Sequence, residues 1–394
     1  MPFIILLLLV SVVSAAPVSL TPERIAETTR THHPALQAAR LRIAEARARH
    51  RGAGRLSNPE LGLSVNRNRR LRDGTTEVTL DQKFPLTARL RLERTLTLGQ
   101  IEMAELEVRE MERQFVAEAR TLAVRRLVLA AKEDLWKRQK TVAEALAEFA
   151  RGQVAKGELS PLDAGQLALE QTRLELEGRN LHREALTVEG ALRTAIGLAP
   201  DSPLKLAGKL GSPLLPPLSR RWQQRPDYRL ALLREKNAGV ETELARARRW
   251  EEVSAGVTWE HDGVEKESFF GVRVGIPLPL WNRNEGEIGE RKAARVRAGL
   301  ETRALREAIA QEVATAHAEM STGAALARES LEKWLPLARK QAADAEAAYR
   351  RGESDLFTLL RAREQQLQME AAAIDNLGGF HLSRIRYEAS IDQP

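Results

Sequence analysis

Residues 271–298 read GVRVGIPLPLWNRNEGEIGERKAARVRA, and their hydrophobic period changes within a few positions. The first residues alternate between apolar side chains and glycine or arginine, which is the pattern of a β-strand with one apolar face. The apolar members of this face are Val272, Val274 and Ile276. Two prolines then interrupt the alternation, and the charged run from Glu287 favours a helix. The segment predicts a strand that leads directly into a helix.

The same plan occurs earlier in the chain. Val78 and Leu80 alternate along a strand that ends before Pro85, which lies 192 residues before Pro277. Other pairs recur in the same order, His33-Pro34 with Arg225-Pro226 at 192 residues and Gly157-Glu158 with Gly352-Glu353 at 195. Recurrence at nearly constant spacing indicates an internal duplication.

Each copy is predicted to contain a helix, two strands, a long helix and a returning helix. The predicted bounds are 16–200 for the first repeat (strands at about 58–67 and 76–86, long helix 88–151, returning helix 158–197), 201–222 for an irregular crossover, and 223–394 for the second repeat (strands 251–260 and 268–278, long helix 287–350, returning helix 354–390). Pro336 predicts a kink in the second long helix.

The returning helix of the first copy carries two apolar lines at seven-residue spacing. The first line is Leu167, Leu174, Leu181 and Val188, and the second line is Leu162, Leu169 and Leu176. The two lines lie roughly 160° apart around the helix axis. A helix with one partner needs only one line, so two lines predict neighbours on both flanks, as in a closed ring of helices.

Composition narrows the class of protein. The chain has 394 residues, 29% of them charged and 4% aromatic, which favours long amphipathic helices over one thick core. Residues 1–15 read as an export signal peptide with cleavage after Ala15. Cysteine is absent, which excludes disulfides, thiolate metal sites and a lipidated N-terminal cysteine.

The sequence gives no sign of catalysis. It contains no H-E-x-x-H or G-x-S-x-G motif, and its seven histidines form no ligand pattern, so we expect no enzyme activity, no cofactor and no resident metal. The net charge of +7 comes from basic residues interleaved with acidic ones. We therefore expect no nucleic-acid partner.

The four strands match the length of tilted outer-membrane strands, which is about ten residues. Four strands cannot close a barrel, and unpaired strand edges are unfavourable in lipid. We therefore expect the chain to oligomerise, each copy lending its strands to a common barrel. The side chains expected to face lipid are Val78, Leu80, Val272, Val274 and Ile276.

Five segments carry a resemblance to a known family. They are GVRVGIPLPLWNRNEGEIGERKAAR at 271–295, NPELGLSVN at 58–66, EVTLDQKFPL at 77–86, RPDYRLALLREKNAGVETELARAR at 225–248 and YRRGESDLFTLLRAREQQL at 349–367. Together they resemble the TolC-type outer-membrane efflux factors over nearly the whole mature chain. The short chain without a lipidated cysteine is closest in style to the CzcC-like heavy-metal efflux branch.

The resemblance implies a fold and an assembly. The implied fold is mainly α with a small β part, and the implied assembly is a homotrimer with a 12-stranded outer-membrane barrel and a periplasmic helical tunnel. Its implied partners are a periplasmic adaptor, an inner-membrane pump of the RND type and outer-membrane lipid. It implies a passive exit duct for substrates such as heavy-metal cations. The alternatives are a duct for drugs or other small molecules and a periplasmic coiled-coil adaptor without a pore.

The resemblance also implies roles for residues at two levels of the duct. The implied periplasmic tip, where the adaptor docks and the tunnel closes, comprises Gly157, Glu158, Ser160, Asp163, Gly352, Glu353, Asp355, Thr358 and Arg361. Thr358 and Arg361 stand where relatives carry acidic residues, and Asp163 is the corresponding acid of the first copy. The implied barrel-to-tunnel junction comprises Pro85, Pro277, Pro279 and Asn282. The residues alone fit plain helix-to-helix turns at the tips equally well.

The loop between the first two strands has four arginines in residues 67–72. It fits a solvated loop, and in an outer-membrane protein it also fits a contact with lipopolysaccharide phosphates.

Overall fold

The computed structural model of the chain describes residues 18–67, 74–157, 160–219 and 221–392. The predicted signal peptide, Glu158 and all but the first residue of the arginine loop lie outside the described residues. The side chain of Asp163 lies outside them as well.

Helices dominate the fold, which confirms the predicted class, mainly α with a small β part. In the first half the elements are β1 (Val18–Leu20), α1 (Pro22–His32), α2 (Pro34–Gly52), β2 (Glu60–Arg67), β3 (Gly74–Phe84), α3 (Arg89–Ala155) and α4 (Pro161–Ala195). In the second half they are β4 (Leu204–Leu206), a 3₁₀ turn (Arg221–Gln224), α5 (Pro226–Ala247), β5 (Val253–Asp262), β6 (Ser268–Gly275), α6 (Glu285–Glu329), a π-turn (Ser330–Trp334), α7 (Leu335–Arg350) and α8 (Leu356–Ser390).

A π-turn interrupts the second long helix just before Pro336, in the turn that a proline disturbs. The π-turn at 330–334 separates α6 from α7, and Pro336 lies in the first turn of α7. Proline has no N–H to donate, and a wider turn ahead of it accommodates the missing donor. The Asn376 side chain of α8 donates to Ser330 Oγ at 2.7 Å and holds the π-turn against the returning helix.

The crossover is not wholly irregular, contrary to the prediction for residues 201–222. Within it, β4 pairs in parallel with β1, Leu20 lying opposite Leu206. Leu20 joins an apolar core that also contains Ile25, Leu192 and Ile196. Further along, the backbone N–H of Ser219 donates to the Tyr387 hydroxyl at 3.0 Å. Strands of three residues are too short to show alternation, so the sequence does not reveal them.

The chain divides into two compact units. The first comprises Met1–Gln37, Met111–Trp222 and Ala310–Pro394, and the second comprises Ala38–Glu110 and Gln223–Ile309. In the first unit, α6 packs on α8 through small residues such as Ala316 and Ala324, which lie against Phe380 and Tyr387. Alanine at these positions lets the two helices approach closely while the aromatic rings fill the space.

The second unit contains a four-stranded antiparallel sheet in the order β2-β3-β5-β6. The two predicted hairpins are therefore neighbours, joined through β3 and β5. The register of these strands decides which residues share a face.

Candidate functional site

One face of the sheet carries a continuous apolar surface over its two central rows, bordered on one side by the polar row Thr76-His261-Ser268. Cross-strand pairing forms two rows, Leu63-Val78-Trp259-Phe270 and Leu61-Leu80-Val257-Val272. Val274 lies on the same face, opposite Ala255. Nearly all of these side chains are exposed or half-buried in the single chain. The structure thus brings the residues that were expected to face lipid onto one surface, and Ile276 follows directly after β6.

The opposite face of the sheet is polar and is held by ion pairs. Arg273 of β6 reaches across β5 to Asp81 of β3, with 2.8 Å between its guanidinium nitrogen and the carboxylate. Gly256 lies between them, and a Cβ there would stand 2.1 Å from Asp81 Oδ1. Glycine therefore leaves the space that this cross-strand pair occupies. A second pair, Lys83 with Glu60, is also separated by 2.8 Å.

Both edges of the described sheet are free. β2 pairs only with β3, and β6 pairs only with β5. An exposed edge presents a row of backbone N–H and C=O groups that can pair with another strand. Both edges of the described sheet are therefore available for pairing with another strand.

The junctions between sheet and long helices are tied to the end of α5. In the first copy Pro85 follows β3 directly, and Thr87 Oγ1 donates to the Ala247 carbonyl at 3.2 Å. In the second copy the Asn284 amide donates to the Ala245 carbonyl at 3.0 Å. The two junctions share one anchoring point although their sequences differ.

Asn284 is a functional candidate that sequence reasoning missed. Its backbone adopts a left-handed conformation with φ of 59°, and its amide also donates to Glu287 at 2.7 Å. The predicted residue, Asn282, has a supporting role, since its Oδ1 accepts from the Asn284 N–H at 3.0 Å. The available signal was the Asn-Glu-Gly sequence, because asparagine tolerates left-handed backbone. Pro277 and Pro279 lie between β6 and these two asparagines.

The first helix-to-helix turn combines a glycine stop with a side-chain cap. α3 ends at Ala155, and Gly157 follows in a left-handed conformation with φ of 76°. Ser160 then caps α4, its Oγ accepting from the Leu162 N–H at 3.2 Å.

The second turn repeats this design. Gly352 follows α7 with φ of 75°, and the Glu353 N–H closes the helix end on the Ala348 carbonyl at 2.9 Å. Asp355 caps α8 by accepting from the Thr358 N–H at 2.7 Å. That backbone hydrogen bond lowers the pKa of Asp355 below its usual value. A hydrogen bond from the Thr358 side chain lowers the same pKa further.

The two turns belong to helices that pack together. Leu356 and Leu360 of α8 lie against an apolar cluster formed by Ala147, Ala150 and Leu167 of α3 and α4. The structure therefore brings the two predicted tip segments to the same end of the first unit.

A cavity of about 510 Å³ lies between α3, α4 and α8. Arg361, a predicted tip residue, lines it together with Phe357 and Glu370. Glu370 is 5% exposed and pairs with Arg339 at 3.0 Å and Arg138 at 3.5 Å. Sequence reasoning missed this buried carboxylate, because a single glutamate among the charged residues of a helix is compatible with a solvated face.

The two apolar lines of α4 have different environments. Leu174 of the first line is 3% exposed, and its carbonyl accepts from Trp136 Nε1 of α3 at 2.7 Å. Leu169 of the second line is 72% exposed, and Leu162 and Leu176 are also exposed. One line packs within the chain, and the other leaves an apolar stripe on the surface.

Within the described part of the chain, no group of three or more carboxylate and histidine side chains is placed to bind a metal ion. None of the described helices is both long and apolar enough to cross a membrane.

Comparisons with known proteins agree with this architecture. Residues 218–386 match the family model of the outer membrane efflux proteins. Comparison with curated proteins gives no significant match.

Solved structures share the fold at low sequence identity. A membrane protein from Pseudomonas aeruginosa superposes with a TM-score of 0.80 at 18% identity, over 94% of this chain and 93% of that chain. The Campylobacter jejuni CmeC outer membrane channel gives 0.79 at 13% identity, over 94% and 85%. The Vibrio cholerae outer membrane protein VceC gives 0.77 at 16%, over 94% and 96%. The family model confirms the resemblance for the three segments at 225–248, 271–295 and 349–367, and the solved structures confirm the fold over most of the chain.

Proposed function

We infer that this chain, whose residues 218–386 match the family model of the outer membrane efflux proteins, is the outer-membrane exit duct of a tripartite efflux system in a Gram-negative bacterium. The observation that carries this inference is the four-stranded sheet, which has one apolar face, one polar face and two free edges. Such a sheet suits lipid on one side and a water-filled interior on the other.

The proposed assembly is a homotrimer. Three copies supply twelve strands, and pairing each free β6 edge with the β2 edge of the next copy closes the barrel without any exposed edge. The exposed leucine line of α4 supports the same assembly, because it offers each copy a second helix partner. The closed helical ring then forms the periplasmic tunnel.

Transport through this duct is passive. The sequence contains no phosphate-binding loop, so the energy comes from an inner-membrane pump, for which we propose the RND type. A periplasmic adaptor connects the pump to the helix tips around Gly157 and Gly352. The glycine stops and polar caps at both tips give these turns a defined shape for docking.

The substrates proposed first are heavy-metal cations, in line with the resemblance to the CzcC-like branch. Drugs or other small molecules are the second candidate class. A deletion strain, complemented with the intact gene or with empty vector, separates these classes. We expect the deletion to raise cellular zinc, cobalt or cadmium while leaving accumulation of a hydrophobic dye unchanged. Dye accumulation alone would instead assign the duct to drugs, and no change in either would contradict an efflux role.

A periplasmic coiled-coil adaptor without a pore is the remaining alternative. It would account for the long helices and for their apolar lines. It offers no reason for an apolar sheet face that is exposed along both hairpins.

A further inference from the structure

The two sheet-to-helix junctions differ in length and in chemistry. β3 ends at Phe84 and α3 begins at Arg89, which leaves the four residues 85–88 between them. β6 ends at Gly275 and α6 begins at Glu285, which leaves the nine residues 276–284. The longer junction reads IPLPLWNRN, so its additional length begins with an apolar stretch. Duplication of the first junction does not account for this stretch.

The apolar stretch continues the exposed face of β6 beyond the end of the strand. Ile276, Leu278 and Leu280 are exposed, and the prolines between them are half-buried. Trp281 follows and is 94% exposed. Four large apolar side chains within six residues form a patch that water disfavours, and such patches mark contact surfaces.

The backbone of this stretch needs few hydrogen-bond partners. Pro277 and Pro279 have no N–H group, and the Leu280 N–H donates to the Leu278 carbonyl at 2.8 Å. Backbone donors without partners are costly away from water, so their scarcity suits a segment that leaves bulk solvent.

Polar residues mark where the apolar stretch ends. Asn282 and Asn284 form the capped turn described above, and Arg283 and Glu285 follow at the start of α6. The bond from Asn284 to Ala245 brings this turn to the end of α5, three residues before the exposed Trp250. Exposed tryptophans beside a change from apolar to polar residues are typical of a membrane interface.

We propose that residues 276–281 form an interfacial anchor, in which Leu278, Leu280 and Trp281 insert into the boundary between headgroups and acyl chains of the periplasmic leaflet. The partner is the phospholipid of that leaflet. This inference rests on the proposed function, because it requires the sheet to stand in the outer membrane. It extends the lipid contact past the last paired residue of β6, and the trimer carries three such anchors.

Tryptophan fluorescence in brominated lipid tests the anchor. The full chain is reconstituted in vesicles of phosphatidylethanolamine and phosphatidylglycerol whose acyl chains carry bromine near the headgroup or near the methyl end. The emission of Trp281 is the difference between the parent protein and Trp281→Phe. We expect bromine near the headgroup to reduce that emission about twofold, because interfacial side chains lie about 5–10 Å deep. Bromine at the methyl end should have a smaller effect.

Two further variants separate the possible failures. The difference between the parent and Trp259→Phe gives the emission of Trp259, which lies on the apolar face of β5. The same difference for Trp334→Phe gives the emission of Trp334, which lies in the π-turn outside the sheet. Quenching of Trp259 without quenching of Trp281 would overturn the anchor while leaving membrane insertion intact. In that case, protection of Trp281 from aqueous iodide would indicate a second copy as its cover. Quenching of neither residue would contradict the proposed function itself.

Discussion

The free edges of the sheet allow the assembly to be tested residue by residue. Leu80 of β3 lies between Leu61 of β2 and Val257 of β5. In the duplication β6 corresponds to β3, and Val272 corresponds to Leu80, which lies 192 residues before it. Val257 of β5, the partner of Val272, corresponds to Leu61 of β2. The β3–β5 register therefore places Val272 of one copy opposite Leu61 of the next.

Engineered cysteines convert this register into a distance test. The natural chain has no cysteine, so Leu61→Cys with Val272→Cys introduces the only thiols. Directly opposed residues of antiparallel strands have Cα atoms about 4.5–5.5 Å apart, within the range of about 4.4–6.8 Å that a disulfide requires. The matched control combines Leu63→Cys with Val272→Cys, which lie diagonally about 7–8 Å apart. We expect efficient cross-linking in the first variant and little in the second.

The product also reports the stoichiometry. Oxidation of outer-membrane preparations with a membrane-permeant oxidant, followed by non-reducing electrophoresis, should convert monomer through dimer into a covalent trimer that accumulates. A ladder beyond the trimer would contradict ring closure. Cross-linking in the Leu63 variant in place of the Leu61 variant would show a register shifted by two residues. Absence of product in both variants would refute pairing of β2 with β6.

Three further predictions concern the helices. Leu174→Ala should lower the free energy of unfolding by about 2–5 kcal/mol, because it leaves a cavity at a buried site. Leu169→Ser should leave the stability of the monomer nearly unchanged and weaken the trimer. Denaturant unfolding measures the first effect and light scattering the second, and equal losses for both variants in both assays would argue against two distinct lines. Asp355→Asn should remove the pH dependence of the α8 cap. Since the folded pKa of Asp355 is lowered, the cap's contribution is present above the unfolded value and is lost as the pH falls through the folded value, below 3.8. The measurement is the protection factor of the Thr358 amide, which is its exchange rate relative to the intrinsic rate at each pH; a protection factor that stays constant with pH in the parent would disprove the prediction. A disulfide between the tips of neighbouring copies should block export without affecting trimer assembly, measured as substrate accumulation with and without reductant; unimpaired export would rule out opening by separation of the tips.

The sequence predicts those parts of the fold in which a hydrophobic pattern repeats over many residues. The change from alternation to helical spacing locates the junctions at Pro85 and Pro277, and β6 ends at Gly275 because the following prolines cannot continue the ladder. The buried and exposed leucines of α4 follow the two lines read from seven-residue spacing. Short or tertiary features escape this reasoning. β1 and β4 have three residues each, and each becomes recognisable only through its pairing with the other.

Single polar residues at buried positions are equally hard to predict. Glu370 is compatible with a solvated helix face until Arg339 and Arg138 are seen beside it. Asn284 is one of two asparagines between β6 and α6, and only its bond to the Ala245 carbonyl shows that it connects two elements. Such partners are distant in the sequence, so local sequence patterns do not reveal them.

The mass and location of the native particle test the central claim most directly. The chain is expressed in a Gram-negative host, the outer membrane is separated from periplasm and inner membrane, and the particle is extracted in mild detergent for native mass spectrometry. We expect a particle of three chains, found in the outer-membrane fraction. A monomer or dimer recovered from the periplasmic fraction would contradict a trimeric duct and would favour the coiled-coil adaptor.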